Sequence, residues 1–222
     1  MALAKRVKSP QVDNKRPALF MISQPQTPNK PHIPGTTKEV NTIKHLLKNH
    51  DMQVLCLEGE AATVDQGIKH METHSCIHFA CHATQNAFAP LKSEFVLHDG
   101  SLELSEIIKK HLVAADLAYL SACQTSTGDE PLSEEAVHLA AGMLAAGYRG
   151  VVATMWSIFD KHGSEVAEDF YANLVAKSEE LSTFSSEDAA YALHHAIQKL
   201  QKKLDNSELS LLAWIPYVHF GL

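Results

Sequence analysis

Two residues that together can open an acyl bond stand at matching places in this sequence. His82 closes the apolar run Cys-Ile-His-Phe-Ala-Cys-His (76–82), and Cys123 closes Leu-Ala-Tyr-Leu-Ser-Ala-Cys (117–123). A thiolate attacks a carbonyl at neutral pH when an imidazole takes its proton or steadies its charge, so the chemistry on offer is nucleophilic catalysis. They are 41 positions apart, which leaves room for a hairpin and a helix. The rival reading is a buried, inert cysteine, a common fate for a thiol in an apolar strand.

Other patterns carry less. There is no Gly-x-Gly-x-x-Gly, no Gly-x-x-x-x-Gly-Lys, no His-Glu-x-x-His and no Gly-x-Ser-x-Gly, so nucleotide, zinc-protease and serine-hydrolase chemistries have no motif. On a strand His78 and His82 share a face while Cys81 points to the other, so Cys76, His78, Cys81 and His82 do not converge tetrahedrally. Neither a metal nor an organic cofactor is expected, and His78 reads as a core or supporting histidine. Ser121, two residues before Cys123, either lines the pocket for the substrate residue before the scissile bond or is a small residue packed under a helix. Asp129 and Glu130 follow in the next loop and either read a positive substrate group or cap the following helix. Asp160 reads as a helix N-cap.

The elements that must position these side chains follow from periodicity. Apolar strands are expected at 18–23, 52–57, 76–80, 116–121 and 150–155. Between them, helices start at Thr36 or Thr37, at Thr63 and at Ser133, the last stopping at Gly147. Asp99-Gly100, flanked by 94–98 and 102–104, signals a β-hairpin between the histidine and cysteine strands. Val166, Phe170 and Leu174 mark a further helix, and Ala189, Leu193, Ala196, Ile197, Leu200 and Leu204 the buried stripe of one over 187–204. Residues 210–222 read as a helical turn and then an edge strand. Alternating strands and helices give a three-layer α/β/α sandwich with a mainly parallel sheet. In such sheets ligands bind at the carboxyl edge of the strands, where both His82 and Cys123 fall.

The bulk numbers set bounds. The chain has 222 residues, 45% hydrophobic and 20% charged, as in an ordinary globular domain. A net charge of −7 argues against a nucleic-acid or anionic-membrane surface. Residues 1–17 read as a flexible basic tail, with the domain over 18–222. No run approaches the ~18 apolar residues of a membrane span, and no secretory signal opens the chain, so a cytoplasmic or nuclear address is expected. Four cysteines without framework spacing read as free thiols.

Around the two candidate residues the sequence resembles a known family. His-Phe-Ala-Cys-His-Ala (78–83) followed by Leu-Ser-Ala-Cys-Gln-Thr (120–125) is similar to the paired signature of the CHAT domain, a caspase- and separase-like fold among the clan CD cysteine peptidases. The similarity continues through Gly-Glu-Ala-Ala-Thr (59–63), Val-Val-Ala-Thr-Met-Trp (151–156), Phe170-Tyr171 and the segment from Trp214 to Gly221. The resemblance implies Cys123 as nucleophile and His82 as general base or thiolate partner. It also implies an oxyanion site, most economically the backbone N–H groups of Cys123 and Ala83. The family usually has glycine where this chain has Ala83, a residue less suited to positive φ.

The activity implied is that of a regulated cysteine endopeptidase acting on protein or peptide substrates, with a regulatory protein supplying activation. An alternative keeps the fold without the chemistry, as a latent or inactive signalling module that binds protein partners. The family's domain usually begins with a strand and helix ahead of the strand at 18–23, so the expectation is either a shortened copy or one that takes that part from another chain.

Overall fold

The computed structural model describes residues 18–48, 50, 52–86, 88–110, 112–121, 136–156, 160–181, 185–205 and 207–221. The expected basic tail at 1–17 lies outside the described residues. Six strands form the main sheet: β1 (Ala18–Ser23), β2 (Gln53–Glu58), β3 (Cys76–Ala80), β7 (Leu117–Leu120), β8 (Gly150–Thr154) and β9 (Tyr217–Gly221). They run in the order β2-β1-β3-β7-β8-β9. All neighbours pair in parallel except β9, which runs antiparallel to β8 and forms the edge strand expected from the terminal segment. Parallel pairing gathers Ser23, Glu58, Ala80, Leu120 and Thr154 on one carboxyl edge.

The central strands are apolar because both faces are covered. Leu19 through Ile22 in β1 have no exposed surface. On one face α1 (Gly35–Leu47), α5 (Asp160–Leu181) and α6 (Ala189–Lys203) bury Val40, Ile43, Phe170, Leu174, Leu193 and Leu200. On the other, α2 (Val64–Met71), α3 (Leu104–Lys109) and α4 (Ala136–Ala146) bury Met71, Leu104, Ile107, Leu139 and Met143. Each such side chain contributes about 1.5–3 kcal/mol on burial, which makes the three-layer α/β/α sandwich the stable arrangement. α7 (Glu208–Trp214) precedes β9, with Ser207 as its cap, accepting from the Ser210 N–H at 3.3 Å. No helix among the described residues is long and apolar enough to cross a membrane.

The local signals act unevenly. Thr63 caps α2, its hydroxyl accepting from the Gln66 N–H at 3.3 Å. Gly147 ends α4 with φ +125°, a conformation that favours glycine. The expected cap at Thr36 or Thr37 does not form: α1 starts at Gly35, and Thr36 donates its hydroxyl to the Ile33 carbonyl at 3.0 Å. Ser133 lies outside the described residues.

A small antiparallel sheet joins β4 (His82–Thr84), β5 (Glu94–Val96) and β6 (Ser101–Glu103). Its β5–β6 turn is the Asp99-Gly100 hairpin, closed by the Leu97 N–H on the Gly100 carbonyl at 2.8 Å. His82 therefore does not end β3 as the sequence suggests. The main-sheet strand stops at Ala80, and His82 opens β4 in the second sheet. The sequence conceals this break because Ile77, Phe79, Cys81 and Ala83 all enter the same core, so the alternation runs through it.

Candidate active site

His82 owes its direction to the small sheet. Ala83, Phe95 and Leu102 lie opposite one another across β4, β5 and β6, and all three are buried in the core over Phe79. Their neighbours His82, Val96 and Ser101 must then face the other way. The His82 side chain meets the loop between β1 and α1, where its Nε2 lies 2.8 Å from the Pro31 carbonyl oxygen. A carbonyl only accepts, so Nε2 carries the proton, and in the neutral ring Nδ1 holds the lone pair. The residue is 1% exposed, so this one bond fixes tautomer and ring orientation together.

Ala83 is also buried, and its φ is not positive; among the described non-glycine residues only Asn29 has positive φ. Alanine is therefore unstrained where the family usually has glycine. Ser121, one residue past β7, donates its hydroxyl to Glu39 Oε2 at 2.9 Å. Glu39 Oε1 lies 3.2 Å from His78 Nε2, off the line of a well-directed hydrogen bond, and His78 Nδ1 is 3.2 Å from the Tyr171 hydroxyl. The His78 ring also stacks on Tyr119, centroids 5.0 Å apart and planes at 12°. A buried polar chain thus links α5, β3, α1 and the end of β7.

Cys123, Asp129 and Glu130 lie outside the described residues. What the fold brings together is the pair of strands leading to His82 and Cys123. β3 and β7 are adjacent, with Phe79 opposite Leu120. His82 follows two residues after the end of β3, and Cys123 three after the end of β7. Neighbouring strands lie about 4.8 Å apart, so the carboxyl ends of β3 and β7 stand side by side.

The other thiols are poor nucleophiles. Burial pushes the Cys76 thiol up to about 12, and it raises that of Cys56 as well. Cys81 is buried in the core. At the same carboxyl edge an open groove of about 590 Å3 is lined by Thr27, Lys30, His32, Glu58, Glu60 and His98, among others.

Pro31, Glu39 and Tyr171 escape a reading for chemistry in the sequence. A backbone carbonyl has no residue signature. Glu39 did leave one: it falls among Thr36, Val40, Ile43 and Leu47 on the buried stripe of α1, where an acid is out of place.

A mainly parallel α/β/α sandwich, with a small antiparallel sheet inserted before the β7 strand and a histidine at the carboxyl edge, defines a caspase-like fold. The family model of the CHAT domain matches residues 2–222, and the chain belongs to that family, which is related to the caspase-like peptidases. No curated protein matches the sequence.

Proposed function

We propose that the chain is a cysteine endopeptidase of the CHAT type, with Cys123 as nucleophile and His82 as its base. The observation that carries this reading is the seat of His82: buried, held through Nε2 by Pro31, with Nδ1 left as the acceptor nitrogen, two residues beyond the end of β3, the strand beside the one that leads to Cys123. In the acylation step the Cys123 sulfur bonds to the scissile carbonyl carbon as its proton passes to His82. The backbone N–H groups of Cys123 and Ala83 hold the oxyanion. The C–N bond then breaks, the amine leaves with the His82 proton, and a thioester remains. Water, deprotonated by His82, opens the thioester and releases the acid.

Substrates are proteins or peptides. Ser121, Asp129 and Glu130 are the candidates for substrate contact. A regulatory protein that settles the loops around Cys123 is the expected partner, as in peptidases whose sites assemble on loop closure.

The test is incubation of the full chain with peptide and protein libraries beside Cys123→Ala and His82→Ala. Cleavage by the wild type that vanishes in both variants is the expected result. Cleavage that survives Cys123→Ala removes this cysteine from the mechanism. A wild-type Cys123 that iodoacetamide alkylates no faster than an ordinary thiol replaces the peptidase by a partner-binding module.

A further inference from the structure

Glu39 is a carboxylate in an apolar layer, its side chain 5% exposed. A buried carboxylate is costly unless its oxygens are served by donors. One donor serves it in a well-directed hydrogen bond, and a histidine ring nitrogen stands close to its other oxygen. The Ser121 hydroxyl meets Oε2 at 2.9 Å, and His78 Nε2 stands 3.2 Å from Oε1. His78 Nδ1 lies 3.2 Å from the Tyr171 hydroxyl, so the buried chain runs on from Glu39 through His78 to α5, with the Ser121 bond its one well-directed link to the carboxylate.

Eight residues before Glu39, in the β1–α1 connection that leads into its helix, the Pro31 carbonyl holds His82. The first turn of α1 is pinned between them: the Ser23 and Thr36 hydroxyls are 3.4 Å apart, and Thr36 donates to Ile33. The segment from Pro31 to Glu39 therefore holds both His82 and Ser121. We propose that Glu39 is a positioning residue for the nucleophile, tying Ser121, two residues before Cys123, to the segment that orients His82. This rests on the peptidase reading above. Displacements of about 1 Å between reacting groups can cost on the order of 100-fold in rate, so a tether on each partner sets their separation.

The test reads the thiol directly. Iodoacetamide alkylation of Cys123 is followed against pH in the full chain by peptide-resolved mass spectrometry, with Cys56 in the same molecule as reference. Ser121→Ala should slow Cys123 roughly tenfold, as expected for loss of a hydrogen bond to a charged group, and move its pH midpoint up toward that of an ordinary thiol. Ser121→Thr keeps the hydroxyl and Glu39→Gln keeps an acceptor, so both should stay within about threefold of the wild type. Cys56 should react at an unchanged rate in all three.

A Ser121→Ala chain whose Cys123 reacts like the wild type overturns the tether and leaves the peptidase reading standing. Failure of Ser121→Thr to restore the rate, or acceleration of Cys56 in step with the loss at Cys123, overturns it as well, by showing a general loosening. A wild-type Cys123 no faster than free cysteine takes both proposals down.

Discussion

Replacing Phe95 by alanine removes the anchor of the small sheet that carries His82. The ring has no exposed surface and meets Phe79 edge-on, with centroids 4.7 Å apart and planes at 65°. Truncating a buried phenylalanine costs about 3–5 kcal/mol, of which the aromatic pair supplies about 0.5–1.5 kcal/mol. At roughly 2–4 °C per kcal/mol for a chain of this size, the thermal midpoint should fall by about 6–20 °C. Much of a typical stability of about 5–15 kcal/mol would be gone. The small sheet should loosen first, so hydrogen exchange over 82–103 should quicken ahead of that over the buried β1 and β3 strands. Thermal melts followed by circular dichroism give the midpoint, and a double-mutant cycle with Phe79→Leu isolates the pair. A drop below about 2 °C, or a coupling indistinguishable from zero, would refute the packing argument that aims His82 away from the core.

Three further outcomes follow from the same physics. Cys76, fully buried and pushed up to about 12, should resist alkylation at pH 8 in the folded chain and react once urea unfolds it; labelling as fast as Cys56 would contradict this. Burial holds His219 below its ordinary value of 6.5, so the unfolded chain binds its proton first. Stability from this group is therefore full above that value and is lost as pH falls through it toward the lower folded one, and His219→Gln should flatten melting curves measured across that range. Gly147→Ala places a Cβ 3.2 Å from the Leu112 carbonyl at φ +125°, which should cost about 1–3 kcal/mol in urea titrations; a neutral change would mean that the turn after α4 relaxes freely.

Where the sequence speaks through periodicity, it and the structure agree closely. β1, β3 and the buried stripe of α6 needed only apolar spacing, and the hairpin needed only Asp99-Gly100. The break after Ala80 stayed hidden because side-chain alternation is blind to which sheet a strand joins. Ser121 was read as a pocket or packing residue, and its bond to Glu39 depends on a contact across 82 positions that no local pattern encodes. Thr36 looked like a cap by type, yet the loop geometry lets Pro34 precede the helix instead, and the hydroxyl turns back to Ile33.

The strand order has a consequence for how the molecule can be divided. β2, β1 and β3 all come from residues 18–80, and β7, β8 and β9 all from 117–221. The backbone passes between these halves once, through the segment that holds the small sheet, and its Asp99-Gly100 tip is exposed. A nick at that tip yields two fragments, one bearing His82 and the other Cys123. The β3–β7 seam, the β5–β6 pairing and the packing of α1 against α5 are what hold the two together.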